Sequence, residues 1–574
     1  MKKIIVFFLF LNLFFSCTKS SNGKKKNSLN YALTSNVSTL DPAVSYDTVS
    51  AKIVYQVYEG LYEYDYLKRP YQLKPLLAKE LPLIEENGLK YTIKLKTNIQ
   101  YHNSPAFKDK KVYVKAQHFI NQIKRLAFKG TKSSGWWLFD DKVLGLNEFR
   151  EKVKNDFSDF YSFPIEGLQA PNDHTLVIKL KRPYPQLVYA LAMTFTTPMP
   201  NELIDYYKND LTQFAVGTGP YKMLKWEKNS LLKLTKFENY HQSLYPSQGD
   251  RYAFEHELVK DAGKKLPFIK DINFFIMKEA QTRWLNFRAR KIDLMVLTRD
   301  HFPVALDTTG GLNKDFQKEN IKLQVAPTLT YWWLAFNMRH PILGSNINLR
   351  RAIGHAVNID SYIKNFTNNI ALKANSIYPP GVLGYSPSNE LPYKYDVAKA
   401  KKLLAKAGYP NGKGLPTFQY DVRGSTSVSR LMGEFIKKEL LKIGVEIQVN
   451  LNSFPGFLNK AKTSQLEIWQ GGWAMDYPDP ENVIQLLISK NHPPGPNATS
   501  YKNEKVDQLY DKLFRAEDRL EVLNITQKVE KIIGEEIPWV MQYYSRNYIL
   551  HHGYVKNFRQ SDLVNNNFKY LRLD

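Results

Sequence analysis

The stretch best suited to bind a charged ligand is Gly471-Gly472-Trp473-Ala474-Met475-Asp476-Tyr477-Pro478-Asp479-Pro480. It places the Asp476 carboxylate between the large rings of Trp473 and Tyr477. A carboxylate in such surroundings is costly unless a cation meets it. The residues therefore indicate recognition of a cationic group. The alternative is a surface turn in which Asp476 and Asp479 are solvated or cap a helix.

The elements around this stretch would present it to a ligand. An apolar run over residues 466–469 predicts a buried strand that ends at Gly471 and Gly472. Two glycines let another backbone come close, because no Cβ stands in the way. Pro478 and Pro480 prevent a helix or a central strand from starting at once. The sequence thus predicts a strand edge open to a guest chain, with an aromatic wall and one carboxylate beside it.

The N-terminus has the features of an export signal over residues 1–16. Lys2 and Lys3 precede an apolar run over residues 4–15, which is too short to span a bilayer. Cys17, the only cysteine, follows at the position where a bacterial lipoprotein carries its lipid. We predict lipid attachment at Cys17, with cleavage without lipid or an uncleaved anchor as the alternatives. Residues 17–28 are polar and predict a tether.

The composition restricts the class of protein. With one cysteine the chain can form no internal disulfide, so its stability must come from burial, and 574 residues with 43% hydrophobic side chains suffice for two or three cores. The net charge of +25 raises the question of nucleic-acid binding. The lysines are spread along the chain, and no zinc finger, RNA-recognition signature or arginine-rich arm appears. We therefore predict no nucleic-acid partner.

Several ordered motifs resemble those of one known family, the family 5 solute-binding proteins that serve ABC importers for peptides. The matching segments are Leu40-Asp41-Pro42 with Glu59-Gly60-Leu61, residues 89–96 with Tyr101-His102-Asn103, Gly217-Thr218-Gly219-Pro220-Tyr221, residues 349–358, and the ten-residue stretch at 471–480. The similarity extends from about residue 29 to the C-terminus. Helix–strand alternation, with Asp396 as the N-cap of a helix, separately predicts an α/β domain after residue 329.

The resemblance implies an α/β fold, the bilobal periplasmic-binding-protein-like fold of class II, in its large peptide-binding type with an extra domain. Two chain crossings would make the hinge. The implied division is a signal peptide (1–16), a tether (17–28), lobe 1 in three parts (29–61, 211–328 and 536–574), an extra domain of lobe 1 (62–210) and lobe 2 (329–535).

The resemblance also implies the ligand and its contacts. In peptide binders of the family, the acid three residues after the tryptophan pairs with the ligand's α-ammonium group, and this acid is Asp476 here. Residues just after Leu-Asp-Pro approach the ligand's backbone, which implies Tyr46, Asp47 and Thr48. Gly471, Gly472, Trp473 and Tyr477 complete the predicted site. The implied partners are a short peptide and an ABC permease, for a monomeric receptor without a cofactor, lipid-anchored in the bacterial cell envelope.

Two other classes of function are weighed against this one. An enzyme is disfavoured, because the sequence has no nucleophile elbow, Cys–His pair, His-Glu-x-x-His helix or Walker loop. Neighbouring His551 and His552 would point to opposite faces of a strand, and His102 is predicted to serve a turn. A carrier of a metal complex or haem stays open, since some family members bind such ligands, although no histidine or methionine cluster has usable spacing.

Overall fold

The computed structural model describes residues 27–153, 159–241, 243–493, 495–516 and 518–574. The predicted signal peptide, Cys17 and the tether up to residue 26 lie outside the described residues. The strands are β1 (Ser28–Leu33), β2 (Tyr62–Tyr64), β3 (Leu73–Pro75), β4 (Leu83–Glu85), β5 (Lys90–Lys94), β6 (Leu168–Asn172), β7 (Thr175–Lys179), β8 (Tyr221–Glu227), β9 (Leu231–Lys236), β10 (Asp271–Ile276), β11 (Leu294–Val296), β12 (Ile321–Phe336), β13 (Leu372–Lys373), β14 (Phe418–Arg423), β15 (Ile447–Asn452), β16 (Ile468–Ala474), β17 (Trp539–His552), β18 (Val555–Lys556) and β19 (Arg572–Leu573).

Most of the helices are short. They are α1 (Thr48–Val57), α2 (Ala116–Ala127), α3 (Leu146–Lys152), α4 (Leu187–Ala190), α5 (Asn201–Tyr206), α6 (Arg251–Glu255), α7 (Ala280–Arg288), α8 (Phe302–Ala305), α9 (Lys314–Lys318), α10 (Ile347–Ala356), α11 (Ile359–Thr367), α12 (Val397–Lys406), α13 (Ser427–Leu441), α14 (Phe454–Lys462), α15 (Glu481–Ile484), α16 (Glu504–Leu513) and α17 (Arg519–Glu536). The predicted N-cap is confirmed, because the Asp396 side chain accepts a hydrogen bond from Lys399 N at the start of α12.

One mixed β-sheet runs through both lobes, in the order β15-β14-β16-β12-β17-β11-β1-β10-β9-β8. The long antiparallel strands β12 and β17 carry the chain between its two halves. Residues 321–327 pair with 546–552 next to lobe 1, whereas 331–335 pair with 539–544 next to β16 of lobe 2. The pairing register shifts between Pro327 and Tyr331. Both crossings therefore lie inside this strand pair.

The predicted limits of lobe 2 stay predictions, and the register locates them relative to the two long strands. Residues 328 and 329 lie at the irregularity in β12. Residues 535 and 536 precede β17, and Trp539, Met541 and Tyr544 of that strand share an apolar cluster with Trp469 of β16. The first half of β17 therefore packs together with β16.

The segment predicted as an extra domain, residues 62–210, contains an antiparallel sheet of order β4-β5-β7-β6 together with helices α2 to α5. Its apolar side chains do not form a separate core. One buried cluster joins Ile93 and Phe119 of this segment to Leu29 of β1 and Ile272 of β10. The segment and lobe 1 consequently share one hydrophobic interior.

The Leu40-Asp41-Pro42 motif is tied to α2 by a buried ion pair. The Arg125 guanidinium donates to both carboxylate oxygens of Asp41, at 3.1 and 2.6 Å. The two side chains are 0% and 3% exposed. A buried pair of this kind is costly to break, because one charge is then left uncompensated. The motif thus holds the segment before α1 against the extra domain.

The Gly-Thr-Gly-Pro-Tyr motif packs closely against the end of α1. A Cβ on Gly217 would lie 2.1 Å from the carbonyl oxygen of Val57 at the end of α1, and one on Gly219 would lie 2.7 Å from the same oxygen. His102 also contacts the motif, since its Nε2 lies 2.9 Å from Gly219 O. Burial lowers the pKa of His102 to about 4, so the ring is neutral. His102 thus has a structural role, but it contacts the 217–219 segment rather than serving the predicted local turn.

Two kinds of feature are absent from the described residues. Among helices of the described ranges, none is long and apolar enough to cross a membrane. In the same part of the chain, no group of three His, Cys, Asp or Glu side chains is placed to hold a metal ion.

Replacing Arg125 by methionine tests the buried pair. We expect Arg125→Met to lower the free energy of unfolding by about 3–5 kcal/mol, because Asp41 loses its cation while staying buried. Urea unfolding measures this loss. The matched control is Lys129→Met, which removes a 2.7 Å pair with Glu151 whose side chains are 34% and 66% exposed. Surface pairs contribute at most about 1 kcal/mol, and equal losses in the two variants would contradict a framework role for Arg125.

Candidate functional site

Strand β16 continues through the glycine pair, which corrects the prediction that it ends there. Residues 468–474 all pair with β12, and Gly471 and Gly472 lie opposite Trp333 and Trp332. A Cβ on Gly471 would come within 2.3 Å of the Trp333 ring, and one on Gly472 within 2.6 Å of the Trp332 ring. The missing side chains therefore make room for cross-strand indoles, rather than for a guest backbone.

The other edge of β16 is only partly covered. The parallel ladder with β14 comprises Tyr420 with Ile468 and Asp421 with Trp469. Beyond this point, none of the described strands pairs with residues 470–474 on that side. Arg423, at the end of β14, donates from Nη1 to Gly472 O at 2.7 Å. Next to Trp473, the edge of β16 thus pairs with no described strand and is contacted by the guanidinium of Arg423.

Asp476 is the residue around which the site is built. Its Oδ1 accepts a hydrogen bond from the Tyr46 hydroxyl at 2.7 Å, which joins the turn after β16 to the segment before α1. Its backbone N–H donates to Asn482 Oδ1 at 3.3 Å, and the Trp473 indole donates to the same oxygen at 2.9 Å. Burial raises the pKa of Asp476, although hydrogen bonds from Tyr46 and Asn482 oppose the shift. Within the described ranges no cationic side chain forms an ion pair with Asp476.

Tyr477 anchors the turn after Asp476. Its buried hydroxyl donates to Glu481 Oε2 at 2.7 Å, and its ring stacks on Tyr189 of the extra domain at 5.5 Å between centroids. Tyr510 donates to the other oxygen of Glu481 at 2.5 Å. Burial raises the pKa of Glu481, which these two hydroxyls partly offset. Tyr477 therefore positions the loop through its hydroxyl and ring, both of which are engaged within the protein.

Asp479 is not the solvated residue of a surface turn. Its Oδ1 accepts from Glu481 N at 2.9 Å and lies 3.4 Å from the amide nitrogen of Gln186 in the extra domain. Burial raises the pKa of Asp479 to about 6, although the hydrogen bond from Glu481 N opposes the shift. The alternative of helix capping holds for Asp479 only in a limited sense: the N–H that donates to its carboxylate belongs to Glu481, the first residue of α15, while the N-cap position itself is Pro480.

The three predicted residues after Leu-Asp-Pro take different positions. Tyr46 is 56% exposed and reaches Asp476. Asp47 is the N-cap of α1, accepting from Val49 N and Ser50 N, and Thr48 is the first residue of that helix. Burial opposes ionisation of Asp47, but hydrogen bonds led by that from the Ser38 hydroxyl hold its pKa below the ordinary value. Only Tyr46 of the three is brought to Asp476 in the structure.

Sequence reasoning missed Asn482, Arg423 and Tyr189. Asn482 is fully buried six residues after Asp476, and its side chain organises both Trp473 and the backbone of Asp476. The sequence does carry a signal for Arg423, because Phe418, Tyr420 and Val422 alternate with polar residues in the period-two pattern of a strand that Arg423 ends. Tyr189 carries no such signal, since only the tertiary fold brings it to Tyr477.

The raised pKa of Asp479 predicts a pH-dependent stability. The ordinary value is 3.8 and the folded value about 6, so the folded state holds a proton that the unfolded state has lost between these values. Stability from this group is therefore present at low pH and falls as the pH rises through about 6. We expect Asp479→Asn to equal the wild type near pH 4 and to exceed it by up to about 3 kcal/mol at pH 7.

Urea unfolding of both proteins at pH 4, 5, 6 and 7 measures this difference. The control is Asp315→Asn, which changes an exposed carboxylate paired with Lys318. A difference between wild type and Asp479→Asn that stays constant from pH 4 to 7 would show that Asp479 titrates normally.

Comparisons with known proteins agree with this architecture. The glutathione-binding protein GsiB of Escherichia coli strain K12 is 23% identical over 519 residues, which cover 89% of this chain and 87% of that protein. HbpA2 from Haemophilus parasuis superposes with a TM-score of 0.77 at 22% identity, over 96% of this chain and 100% of that one. The ABC transporter-associated periplasmic binding protein DppA from Helicobacter pylori, in complex with the peptide STSA, gives 0.69 at 24% identity, over 96% and 98%.

The family comparison covers most of the chain. The model for bacterial extracellular solute-binding proteins, family 5 Middle, matches residues 72–494. This match includes the edge of β16, the Asp476 turn and the strand β12 that crosses between the lobes. The members of this family bind substrates for ABC transporters and are not enzymes. The protein described here belongs to the family 5 extracellular solute-binding proteins.

Proposed function

We propose that this protein captures short peptides in the cleft between its lobes and delivers them to the permease of an ABC importer. The observation that carries the proposal is the Asp476 carboxylate. It is largely buried at the cleft, and among the described residues it has hydrogen-bond donors but no ion-pair partner. Such a group is stabilised by a cation that arrives with the ligand. The α-ammonium group of a peptide has the required charge and three donors.

The hydrogen bond from Tyr46 is compatible with this role. A carboxylate offers about four lone pairs on two oxygens, and Tyr46 uses one of them on Oδ1. An ammonium group can therefore bind while Tyr46 remains in place. Since Tyr46 belongs to lobe 1 and Asp476 to lobe 2, an ammonium group there would link both walls. Closure around the ligand would also remove these charges from water.

The partly free edge of β16 supports recognition of a peptide backbone. An extended peptide can add to an exposed strand edge through main-chain hydrogen bonds, which are independent of its side chains. In the proposed complex the backbone runs beside Gly471, Gly472 and Trp473, and Arg423 moves from Gly472 O to admit it. Tyr477, Asp47 and Thr48 flank this site and support its two walls without contacting the ligand directly.

The relatives support a peptide-like ligand of unspecified sequence. GsiB is a glutathione-binding protein, and the DppA structure holds the peptide STSA. STSA has an α-ammonium group next to its amide backbone, and glutathione also carries one ammonium group together with peptide amides. A metal complex or haem is the competing ligand class, and no described cluster of ligating side chains favours it.

We further propose that the protein is a monomer attached to the outer face of the cell membrane, or to the periplasmic side of the envelope, through lipid on Cys17. The family supports an extracytoplasmic location. The single cysteine after an apolar signal supports the anchor. Anchoring would keep the receptor near its permease, since a tether of twelve residues spans only about 20 Å.

Replacing Asp476 by asparagine tests the peptide site. The change keeps the shape and removes the charge, so a bound ammonium group is left buried without a partner. We expect a loss of about 2–5 kcal/mol, or roughly 30- to several-thousand-fold in affinity. Calorimetry with alanine peptides of two to five residues, free and N-acetylated, measures the loss in both proteins. Acetylation should weaken wild-type binding strongly and the variant's binding little, because both changes remove the same interaction.

The matched control is Asp479→Asn, three residues further along the same turn. Its carboxylate is committed to Glu481 N, so peptide affinity should stay near that of the wild type. Additive losses from acetylation and Asp476→Asn would remove Asp476 from the site. A wild type that ignores every peptide but is stabilised by nickel complexes or haem in a thermal shift would replace the peptide by that ligand class.

Replacing Cys17 by alanine tests the anchor. Without the thiol no lipid can be attached, so Cys17→Ala should appear in the soluble fraction or accumulate unprocessed. Membrane fractionation and the mass of the mature N-terminus measure the outcome. The control is Ser20→Ala in the same tether, which should fractionate like the wild type. Identical membrane association of Cys17→Ala and the wild type would contradict lipid attachment.

A further inference from the structure

One face of α1 forms part of the lobe 1 wall of the cleft. Thr48, Lys52 and Tyr55 share this face at helical spacing, whereas Ile53 and Val54 are buried in the core. Tyr46, just before the helix, reaches Asp476 on the opposite wall. Burial raises the pKa of Tyr55, one turn after Lys52, and the charge of Asp476 adds a smaller contribution in the same direction. Lys52 is thus placed on the wall that faces Asp476.

The ammonium group of Lys52 has no partner within the described ranges. No hydrogen bond or ion pair is formed by its Nζ, although the side chain is mostly covered. The carboxylate that attracts it is Asp562, which lies beyond the 4.0 Å limit of an ion pair. Asp562 is itself engaged, because its Oδ2 accepts from Leu329 N at 2.7 Å. Burial lowers the pKa of Lys52 and raises that of Asp562, so neither fully compensates the other.

The two walls of the cleft therefore carry opposite charges that lack ion-pair partners inside the protein. A buried ammonium group is as costly as a buried carboxylate unless an opposite charge meets it. A ligand that brings both an ammonium group and a carboxylate would satisfy both walls at once.

We propose that Lys52 binds a carboxylate of the ligand whose ammonium group lies at Asp476. The inference rests on the proposed peptide-binding function and specifies it: the ligand is a zwitterionic peptide. The carboxylate is either the C-terminal one or that of an acidic side chain. Both have the same chemistry, and the experiment below separates them.

The competing role for Lys52 is structural. The lysine would then only lower the cost of burying Asp562 at a distance. This role predicts a loss of stability in a Lys52 variant, together with equal losses of affinity for charged and neutral ligands. A contact with the ligand predicts instead that the loss depends on the ligand's own carboxylate.

The experiment is a double-mutant cycle on the mature protein with Lys52→Met, which keeps most of the side-chain stem. The probe is the alanine peptide of two to five residues that binds the wild type most tightly, free and C-amidated. Amidation should weaken wild-type binding by about 10- to 100-fold, the value of a hydrogen bond to a charged group. In Lys52→Met it should cost less than about threefold, because the partner is already absent. Lys52→Arg should retain part of the amidation penalty.

Lys402→Met, on the exposed face of α12, is the control and should match the wild type with both peptides. An amidated peptide with one alanine replaced by glutamate distinguishes the sources. If it recovers wild-type affinity and Lys52→Met abolishes that recovery, Lys52 binds a side-chain carboxylate. If it binds like the plain amidated peptide, Lys52 binds the C-terminal carboxylate.

Failure of the proposed role of Lys52 can be distinguished from failure of the proposed peptide-binding function. An equal amidation penalty in wild type and Lys52→Met, while N-acetylation still weakens the wild type, overturns the role of Lys52 and leaves the proposed function standing. A uniform loss for all peptides with a lower urea midpoint assigns Lys52 to the framework and likewise overturns its contact with the ligand. If the wild type binds no peptide, the proposed function fails, and this inference with it.

Discussion

The structure depends on the antiparallel pairing of β12 with β17. This pair extends the main sheet through both lobes, because its two ends join different sets of strands. Near Pro327 and Tyr331 the pairing is irregular. A proline cannot donate to a ladder, so the backbone there is less constrained than in the regular parts of the pair. This irregularity lies between the part of β12 that pairs with residues 546–552 and the part that pairs with both β16 and residues 539–544.

Buried charged side chains in the framework of lobe 1 differ from Asp476 in the partners that they have. Inside lobe 1 two buried charges of the framework have ion-pair partners: Asp41 pairs with Arg125, and Glu63 pairs with Lys569 at 2.7 Å. Among the described residues, Asp476 has hydrogen bonds from neutral groups and no ion pair. The cost of desolvating a charge is thus offset by an opposite charge in the first case and only by neutral donors in the second. This contrast supports the proposal that Asp476 meets a cation of the ligand.

The motifs that resemble the family serve packing at least as much as binding. Asp41 holds α2, and Gly217 and Gly219 admit the end of α1. Glu59 accepts hydrogen bonds from Tyr240 at 2.7 Å and Thr218 at 3.2 Å, and lies 2.8 Å from His241 Nε2. These contacts hold α1 in place, and the other face of α1 borders the proposed cleft. Residues that do not contact Asp476 therefore determine the position of the wall that faces it.

The sequence by itself determined the family, the α/β class, the Asp396 cap and the carboxylate at Asp476, because motifs and helical or strand periodicity are local in the chain. Tertiary structure decided what the motif residues touch. The glycine pair at 471 and 472 read as room for a guest chain, yet the indoles of β12 fill that space, since cross-strand register is not encoded in either strand alone. Asp479 was predicted as a solvated turn residue, yet it is half-buried and contacts Gln186 of the extra domain. Tyr46 and Asp476 are 430 positions apart, and only the folding of both lobes onto one sheet brings them into contact.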